Sequence, residues 1–389
     1  MPFLSPPGLN HYGCWRFCFG GIIQHIITER VIYVFAYKPD YEQAQKRVNA
    51  FWNYEEVDRP LTNIIFQKPG AKPFPKKMYA THEERWLDLD YRTAKTAHDM
   101  ANTVFYADAM PVFFPDLGPE IISAWAGCPY IFGEDTTWTL PCITDWSNDK
   151  AIIDMNHPLA KKLEDFTRML LEVAKDKFIV GLSDFHPGGD HIAALRDVEV
   201  LAIDLLEEPD MVKAKLASSY KEYFAVYDYY VNWLKKEGNP IASWIGLTSE
   251  TSMYIPSNDF SIMISEAMFD EFFLPGITEE CRRYSNSIYH LDGPGALRHL
   301  DSLLAIPQLD AVQWVYGAGN GNCTDWLHVY EKVLSAGKSV TMGVRNMDEL
   351  RILMEHLPAR GLCIDILFAK NEDEACDLLK LIEKWPRNV

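Results

Sequence analysis

The sequence predicts an α/β fold: a single TIM-type (β/α)8 barrel preceded by an N-terminal extension. Short apolar runs typical of buried strands alternate with longer amphipathic runs typical of helices, from residue 61 to the C-terminus. No linker, shift in composition or sequence repeat divides residues 38–389, so they are expected to form one domain. A doubly wound sheet is the alternative fold. No GxGxxG motif follows a strand, however, and a dinucleotide site therefore has no support.

Eight segments are predicted as strands from their apolar character and from the turn residues that bound them. They lie at residues 61–66, 178–184, 241–248, 287–292, 310–316, 339–344 and 361–368, with one more inside 109–121. Helices are predicted where apolar side chains recur every three or four positions. They cover residues 41–57, 82–104, 157–177, 190–196, 197–238, 265–285, 295–306, 323–337, 346–357 and 371–385, with a break at Pro209.

Residues 1–37 do not follow this alternation. The apolar stretch contains Glu29 and Arg30, which would cost several kcal/mol inside a bilayer, so no stable membrane insertion is expected. It also lacks the basic start and the cleavage site of a secretory signal. We therefore expect an N-terminal extension outside the barrel, either disordered or produced by a start codon placed too early.

Composition restricts the possible partners and the compartment. The net charge of −18 argues against nucleic acid, because binding to phosphates requires a basic surface. The eight cysteines are scattered and form no CxxC pair, which favours a reducing, cytoplasmic environment over a disulfide scaffold. A small-molecule substrate is the expected ligand of such a chain.

The stretch "YHLDGPG" places His290 and Asp292 at the end of a predicted strand, just before a turn. Residues two apart in a strand share a face, so both side chains are expected to point to one side. The carboxyl ends of barrel strands carry the active site in enzymes of this fold. The other candidates predicted near such ends are Asp116, Asp184, His186, His191, Glu250, Asp259, Tyr316, Arg345, Cys363 and Asp365.

Each candidate also has a purely structural explanation. Asp116 could cap a turn or helix, and Asp292 could form an Asx turn before Gly293. His290 could be a hydrogen-bonded core histidine, and Cys363 an inert buried thiol. Only their expected common location, at the carboxyl ends of the strands, favours a functional site.

Four segments resemble the uroporphyrinogen decarboxylase superfamily, which includes cobalamin-dependent methyltransferases. They are "NYEEVDRP", "PVFFPDLGPE", "IPSNDFSIMISEAMFDEFFLPGI" and "IYHLDGPGALRHLDSLLAIPQLDAVQW". The resemblance spans roughly residues 45 to 385 and implies a (β/α)8 barrel. In the decarboxylases an arginine-rich segment follows the first strand. Here that stretch is "FQKPGAKPFPKK", whose lysines do not supply bidentate arginine geometry.

The methyltransferase branch implies a zinc site made by a His-x-Cys pair and a later Cys. His290 matches the histidine, Asp292 replaces the first cysteine, and Cys363 corresponds to the later one. A His/Asp/Cys set can still bind Zn²⁺. Its carboxylate is a harder ligand, in the hard–soft sense, than the thiolate of His/Cys/Cys, so the set favours an oxygen-containing substrate over a thiol.

The resemblance thus implies methyl transfer between a small substrate and a corrinoid carried on a partner protein. In this hypothesis Asp116 and Glu250 transfer protons, and Trp138 and Trp146 form walls of the pocket. His186, Asp259, Tyr316 and Arg345 are expected to bind substrate. Three alternatives remain: a decarboxylase or lyase acting through Asp116 on a substrate other than uroporphyrinogen, a glycoside hydrolase with paired carboxylates, and a non-catalytic binding protein with a decayed metal site.

Overall fold

The computed structural model describes residues 35–386. The helices of this part of the chain are α1 (Tyr41–Trp52), α2 (His82–Leu87), α3 (Leu89–Ala101), α4 (Ile121–Trp125), α5 (Pro158–Ala174), α6 (Gly189–Arg196), α7 (Val198–Glu207), α8 (Pro209–Lys236), α9 (Glu266–Met268), α10 (Leu274–Arg283), α11 (Leu300–Leu304), α12 (Leu327–Ser335), α13 (Met347–His356) and α14 (Glu372–Ile382). The strands are β1 (Leu61–Gln67), β2 (Thr103–Ala107), β3 (Val112–Phe113), β4 (Tyr130–Phe132), β5 (Thr137–Thr139), β6 (Ile179–Val180), β7 (Ile241–Ala242), β8 (Thr248–Ser249), β9 (Met253–Tyr254), β10 (Asn286–Asp292), β11 (Ala311–Val315), β12 (Ser339–Val344) and β13 (Leu362–Ile366).

The central sheet has seven strands in the order β2-β1-β13-β12-β11-β10-β9. Its neighbours are parallel except for β1 and β2, which pair antiparallel. A second parallel pair joins β3 to β6. Just after β6, the N–H of Leu182 donates to the carbonyl oxygen of Ala242 in β7 at 2.7 Å, so β6 and β7 are also neighbours. The predicted α/β class is therefore confirmed. Within residues 35–386 these ladders are separate sheets rather than one continuous closed ladder.

The strands of the central sheet are buried because helices cover them, as continuous apolar runs predict for parallel strands. Helix α5 shows how the covering helices form. His157 caps it, Pro158 occupies its first turn, and its buried residues recur at three- and four-residue spacing, including Leu163, Phe166 and Leu170. Burial of each such side chain contributes about 1.5–3 kcal/mol.

Residues 241–248, predicted as one strand, form a hairpin instead. Strand β7 ends at Ala242, and β8 returns antiparallel to it, with Ala242 opposite Thr248. Gly246 makes the reversal possible, because its φ of +74° suits glycine and its N–H bonds to Ser243 O at 3.0 Å. The chain therefore leaves β8 toward the amino end of β10, where Asn286 N–H donates to Ser252 O at 3.0 Å.

The predicted helix over residues 265–285 is interrupted by a π-helical segment at Phe269–Phe273, between α9 and α10. Pro275 lies two residues after this segment, in the first turn of α10, and has no N–H to donate to the preceding turn. The wider turn accommodates the missing hydrogen bond and the proline ring.

The predicted extension lies outside the described residues except for residues 35–37. Phe35 is buried, Ala36 N–H donates to Asp176 O at 2.8 Å, and the ring of Tyr37 stacks on Phe178. Residues 35–37 therefore pack as part of the folded unit. No helix among residues 35–386 is long and apolar enough to cross a bilayer.

Glu280 is a fully buried acid in a network of tyrosines. Its carboxyl accepts hydrogen bonds from Tyr220 Oη at 3.2 Å and Tyr284 Oη at 3.3 Å. Burial raises the pKa of Glu280 from 4.5 to about 8. The folded state thus keeps a proton that the unfolded state loses above about pH 4.5. The contribution of Glu280 to the free energy of unfolding is fully present below that pH and is lost as the pH rises toward about 8.

We predict that Glu280→Gln, which holds a neutral side chain at every pH, has little effect on stability at about pH 5 but stabilises the fold at about pH 9, by on the order of a few kcal/mol. Chemical denaturation at the two pH values measures the difference. Glu279→Gln is the matched control, because Glu279 is exposed and paired with Arg282. An equal effect of Glu280→Gln at both pH values would contradict the raised pKa.

Candidate metal centre

Strand β10 carries His290 and Asp292 at its carboxyl end. Burial alternates over the last four residues of the strand, where Tyr289 and Leu291 are buried while His290 and Asp292 are half-exposed. The two polar side chains therefore lie on the same, accessible face of the strand, as their spacing predicts.

His290 is held on three sides. Its Nδ1 lies 2.7 Å from Gln313 Oε1 on the neighbouring strand β11, where Gln313 is its register partner. The ring of Trp244 packs edge-on against it with centroids 5.2 Å apart, and its backbone N–H donates to Pro256 O. With Nδ1–H donating to Gln313 Oε1, the free lone pair is on Nε2, which is the tautomer needed by a metal ligand.

Asp259 completes a group with His290 and Asp292. The three side chains each offer one potential ligand atom, and these atoms all lie within 4.8 Å of one another. His186, the protonated histidine of the neighbouring network, acts on the Asp259 carboxyl in the direction that lowers its pKa. Desolvation by the surrounding protein, together with the charges of Asp190 and Asp292, raises the pKa of Asp259 to about 6 although its side chain reaches solvent. A cation in this group would relieve that repulsion.

A buried network behind Asp259 fixes its position. Asp190 Oδ1 accepts the N–H of Phe260 at 2.9 Å and so holds the turn that carries Asp259. Asp190 Oδ2 accepts from Ser257 Oγ at 3.3 Å. His186 lies between two acids, with Nε2 2.7 Å from Asp184 Oδ1 and Nδ1 3.7 Å from Asp190 Oδ2.

The charge state of this network follows from its geometry. Burial opposes a charge on His186, but the carboxylates of Asp184 and Asp190 outweigh it and raise the pKa of His186 well above its usual value. Burial likewise opposes a charge on Asp190, yet His186 lowers the pKa of Asp190. The network is thus an imidazolium between carboxylates rather than a serine nucleophile with a free base.

Two cavities flank the group. The first, of about 450 Å³, is lined by Asp259 together with His186, Asp190 and His191. The second, of about 380 Å³, is lined by Gln313 and by residues at the carboxyl ends of β11, β12 and β13. The group of Asp259, His290 and Asp292, which we call the candidate metal centre, therefore borders both spaces through Asp259 and through the Gln313–His290 contact.

Cys363, predicted as the third ligand, is not part of the candidate metal centre. It lies on β13, which β11 and β12 separate from β10 in the sheet. Its Sγ is buried and lies 3.5 Å from Asn63 Nδ2, and burial raises the pKa of its thiol well above the usual value. In this structure Cys363 is a buried thiol outside the candidate metal centre, and the third member of that centre is Asp259.

Glu250 lies at the opposite end of the central sheet from His290. The turn that carries it follows β8, next to Asn286 at the start of β10, where Ser249 Oγ bonds Asn286 Oδ1 at 2.9 Å. The prediction of a catalytic Glu250 assumed that residues 241–248 form one straight strand. The hairpin at Gly246 reverses the chain and removes Glu250 from the group.

The two predicted pocket tryptophans do not line the first cavity. Trp146 is buried, its Nε1–H donates to Asp204 Oδ2 at 3.0 Å, and Arg196 lies over its ring. Trp138 lies on β5 with its side chain exposed to solvent. The aromatic wall of the candidate metal centre is instead Trp244, which the straight-strand prediction placed in mid-strand.

The remaining predicted residues divide between the two cavities. His186 and Asp259 line the first cavity, whereas Tyr316 and Arg345 line the second. Gln313 and Asp190 are not among the site residues predicted from the sequence. Gln313 could have been found as the one polar side chain inside the apolar run "AVQWV".

Comparisons with known proteins give similar solved structures but no sequence-based assignment. No protein-family model matches the chain, and no curated protein matches it. Among solved structures, a methyltransferase from Methanosarcina mazei is similar, with a TM-score of 0.56 and 11% sequence identity, over 90% of this chain and 98% of that one. At this identity the likeness establishes a shared overall fold.

Asp116, the predicted catalytic acid, forms an Asx turn. Its Oδ1 accepts the N–H of Gly118 at 2.7 Å, and Arg92 Nη2 donates to its backbone carbonyl at 2.6 Å. Burial raises the pKa of Asp116, and the charge of Asp184 acts in the same direction.

We predict that Asp116→Ala, which removes the turn acceptor, destabilises the protein by about 0.5–1.5 kcal/mol. Asp116→Asn keeps an acceptor oxygen and is expected to be close to the wild type in stability. Urea denaturation of both variants measures this. Wild-type stability of the alanine variant would show that the turn bond contributes nothing.

Proposed function

We propose that this chain is a metal-assisted methyltransferase that moves a methyl group between a small-molecule substrate and a corrinoid carried on a partner protein. The observation that supports it most is the candidate metal centre, where Asp259, His290 and Asp292 converge at the carboxyl end of a parallel sheet, beside two cavities. Active sites of (β/α)8 barrels lie at this end.

The proposed architecture is a closed (β/α)8 barrel. Strands β1, β13, β12, β11 and β10 are consecutive parallel neighbours, and β3, β6 and β7 supply the remaining three positions in chain order. The likeness to the methyltransferase from Methanosarcina mazei supports a shared overall fold. The resemblance of "IYHLDGPG" to the metal-binding segment of the cobalamin-dependent methyltransferases connects that fold to methyl transfer.

The donor atoms of the candidate metal centre fit a divalent cation. One imidazole nitrogen and two carboxylate oxygens are acceptable ligands of Zn²⁺, and three protein ligands leave a position for substrate. Burial, together with the charges of Asp190 and Asp292, raises the pKa of Asp259 to about 6, and a bound cation would lower it. When bound, the ion would supply Lewis-acid polarisation of a substrate oxygen.

The side chains around the ion have separate tasks in this proposal. Gln313 fixes the tautomer and the ring orientation of His290, and Asp190 holds the turn that presents Asp259. His186, protonated between Asp184 and Asp190, keeps the Asp190 carboxylate charged and lines the first cavity. A decarboxylase acting through Asp116, or a binding protein with a decayed site, would require none of these tasks.

We predict that the purified, untagged chain binds about one Zn²⁺ and that Asp259→Asn, Asp292→Asn and His290→Gln each weaken binding. The expected loss is on the order of 10- to 100-fold or more, because even residues behind metal ligands have effects of this size. Competition titration with a chromogenic chelator and elemental analysis measure affinity and stoichiometry.

Two controls accompany this experiment. Asp348→Asn changes an aspartate whose side chain is 88% exposed and tests for non-specific loss of acidic charge. Cys363→Ser separates the two ligand sets: unchanged affinity supports Asp259 as the third ligand, whereas loss of binding in Cys363→Ser but not in Asp259→Asn would restore the set predicted from the resemblance. Absence of zinc binding by the wild type would favour the decarboxylase or binding-protein alternative.

We also predict that Asp292→Cys tightens zinc binding, because thiolate suits Zn²⁺ better than carboxylate. The substitution restores the His-x-Cys pair of the methyltransferase branch. The same competition titration, together with the affinity for Mn²⁺ as a harder ion, measures the change. Tighter zinc binding with unchanged or weaker Mn²⁺ binding is the expected result; equal shifts for both ions would contradict a direct contact by residue 292.

A further inference from the structure

The second cavity is lined by an arginine, Arg345, that takes no part in the candidate metal centre. Its polar wall includes Gln313, Thr341, Arg345 and Asp365. Arg345 lies in the loop after β12, and its guanidinium is 5.7 Å from the centroid of the Tyr316 ring. Within residues 35–386, Arg345 pairs with no acidic side chain, whereas Arg351 on the following helix pairs with Asp348.

A glycine-rich loop forms the facing wall. In the loop "YGAGNGN", residues 316–322, Gly317, Gly319 and Gly321 all have φ between +76° and +85°, a conformation suited to glycine. Among the described residues, no backbone carbonyl accepts an N–H of residues 317–321. The first backbone N–H of this loop that donates to a side chain is that of Asn322, which donates to Asp325 Oδ2 at 2.8 Å.

The aromatic side of the cavity is rigid. Tyr316 stacks on Trp326 with an interplanar angle of 14°, and Trp314 packs edge-on against the same ring. Trp326 Nε1–H donates to Asn320 O at 3.0 Å and so ties the glycine-rich loop to the aromatic stack. Trp314 is 3% exposed and lines the cavity, and its Nε1 has no hydrogen-bond partner among the described residues.

We infer that Arg345 and the loop at residues 317–321 form a binding site for an oxyanion: a carboxylate, sulfonate or phosphate group. An arginine without an acidic partner and several solvent-accessible backbone N–H groups that donate to no described carbonyl are complementary to such a group. The second charged residue of the lining, Asp365, is already engaged, because Asn63 Nδ2 donates to its Oδ1 at 2.8 Å.

The position of this oxyanion site defines a substrate class, an assignment that rests on the proposed function. Gln313 lines the second cavity and also contacts His290. A small molecule with its acidic group at Arg345 would therefore extend past Gln313 toward the candidate metal centre. The substrate is then a short acid that carries a methylated or methyl-accepting oxygen at its other end.

The test is a titration of the full chain with acetate, methanesulfonate and inorganic phosphate, at constant ionic strength and with a metal chelator present. Saturable binding is followed by thermal shift and by calorimetry. We expect at least one of the three anions to bind the wild type. Arg345→Gln should weaken it roughly 10- to 100-fold, as loss of a charge-assisted hydrogen bond predicts, and Arg345→Lys should weaken it less. The anion that binds most tightly identifies the acidic group.

Arg351→Gln is the matched control, since it removes an arginine from helix α13 outside the cavity and should leave anion binding unchanged. Equal binding by the wild type and Arg345→Gln, or no saturable binding of any of the three anions, would overturn the inference. Because the chelator removes divalent metal, failure of the candidate metal centre leaves this result unaffected. Conversely, zinc binding with no anion binding would leave the proposed function standing without this substrate class.

Discussion

The candidate metal centre depends on the register between β10 and β11. With Ile288 paired to Ala311, His290 faces Gln313, and the Nδ1–Oε1 contact of 2.7 Å forms. A slip of one residue would turn His290 to the buried face of the sheet and would remove its partner. The apolar side chains on the buried face of β10 oppose such a slip, because each would be exposed by it. Packing of the sheet thus determines the orientation of a potential ligand.

A second constraint is electrostatic. Asp190 carries a charge at a buried position because His186 supplies the opposite charge, and that carboxylate in turn holds the Phe260 N–H. The turn bearing Asp259 is therefore fixed by a charged network rather than by apolar packing. Such a network is expensive to bury and loses its function when one member is removed. Its place beside an acidic group and a cavity agrees with the tendency of perturbed ionisable groups to lie at functional sites.

The two cavities have different chemistry. The first is lined by the ionisable side chains of His186, Asp190 and Asp259, whereas the second is lined by Arg345 and a glycine-rich loop. In the proposed function they meet at Gln313 and His290, with the reacting end of the substrate at the first cavity and its anchoring end at the second. Anchoring a remote group of the substrate is a general means of positioning its reacting atom.

The sequence by itself determined the features that depend on short-range periodicity. Alternating apolar runs predicted the α/β class, and the two-residue spacing of His290 and Asp292 predicted a shared face at the end of β10. Tertiary structure decided which distant residue joins them. Asp259 does so, and Cys363 does not, because β11 and β12 lie between β10 and β13. The hairpin at Gly246 likewise brought Trp244 to His290 and carried Glu250 to the far end of the sheet. Strand order and chain reversals depend on contacts between residues far apart in the chain, and local patterns of polarity contain little information about them.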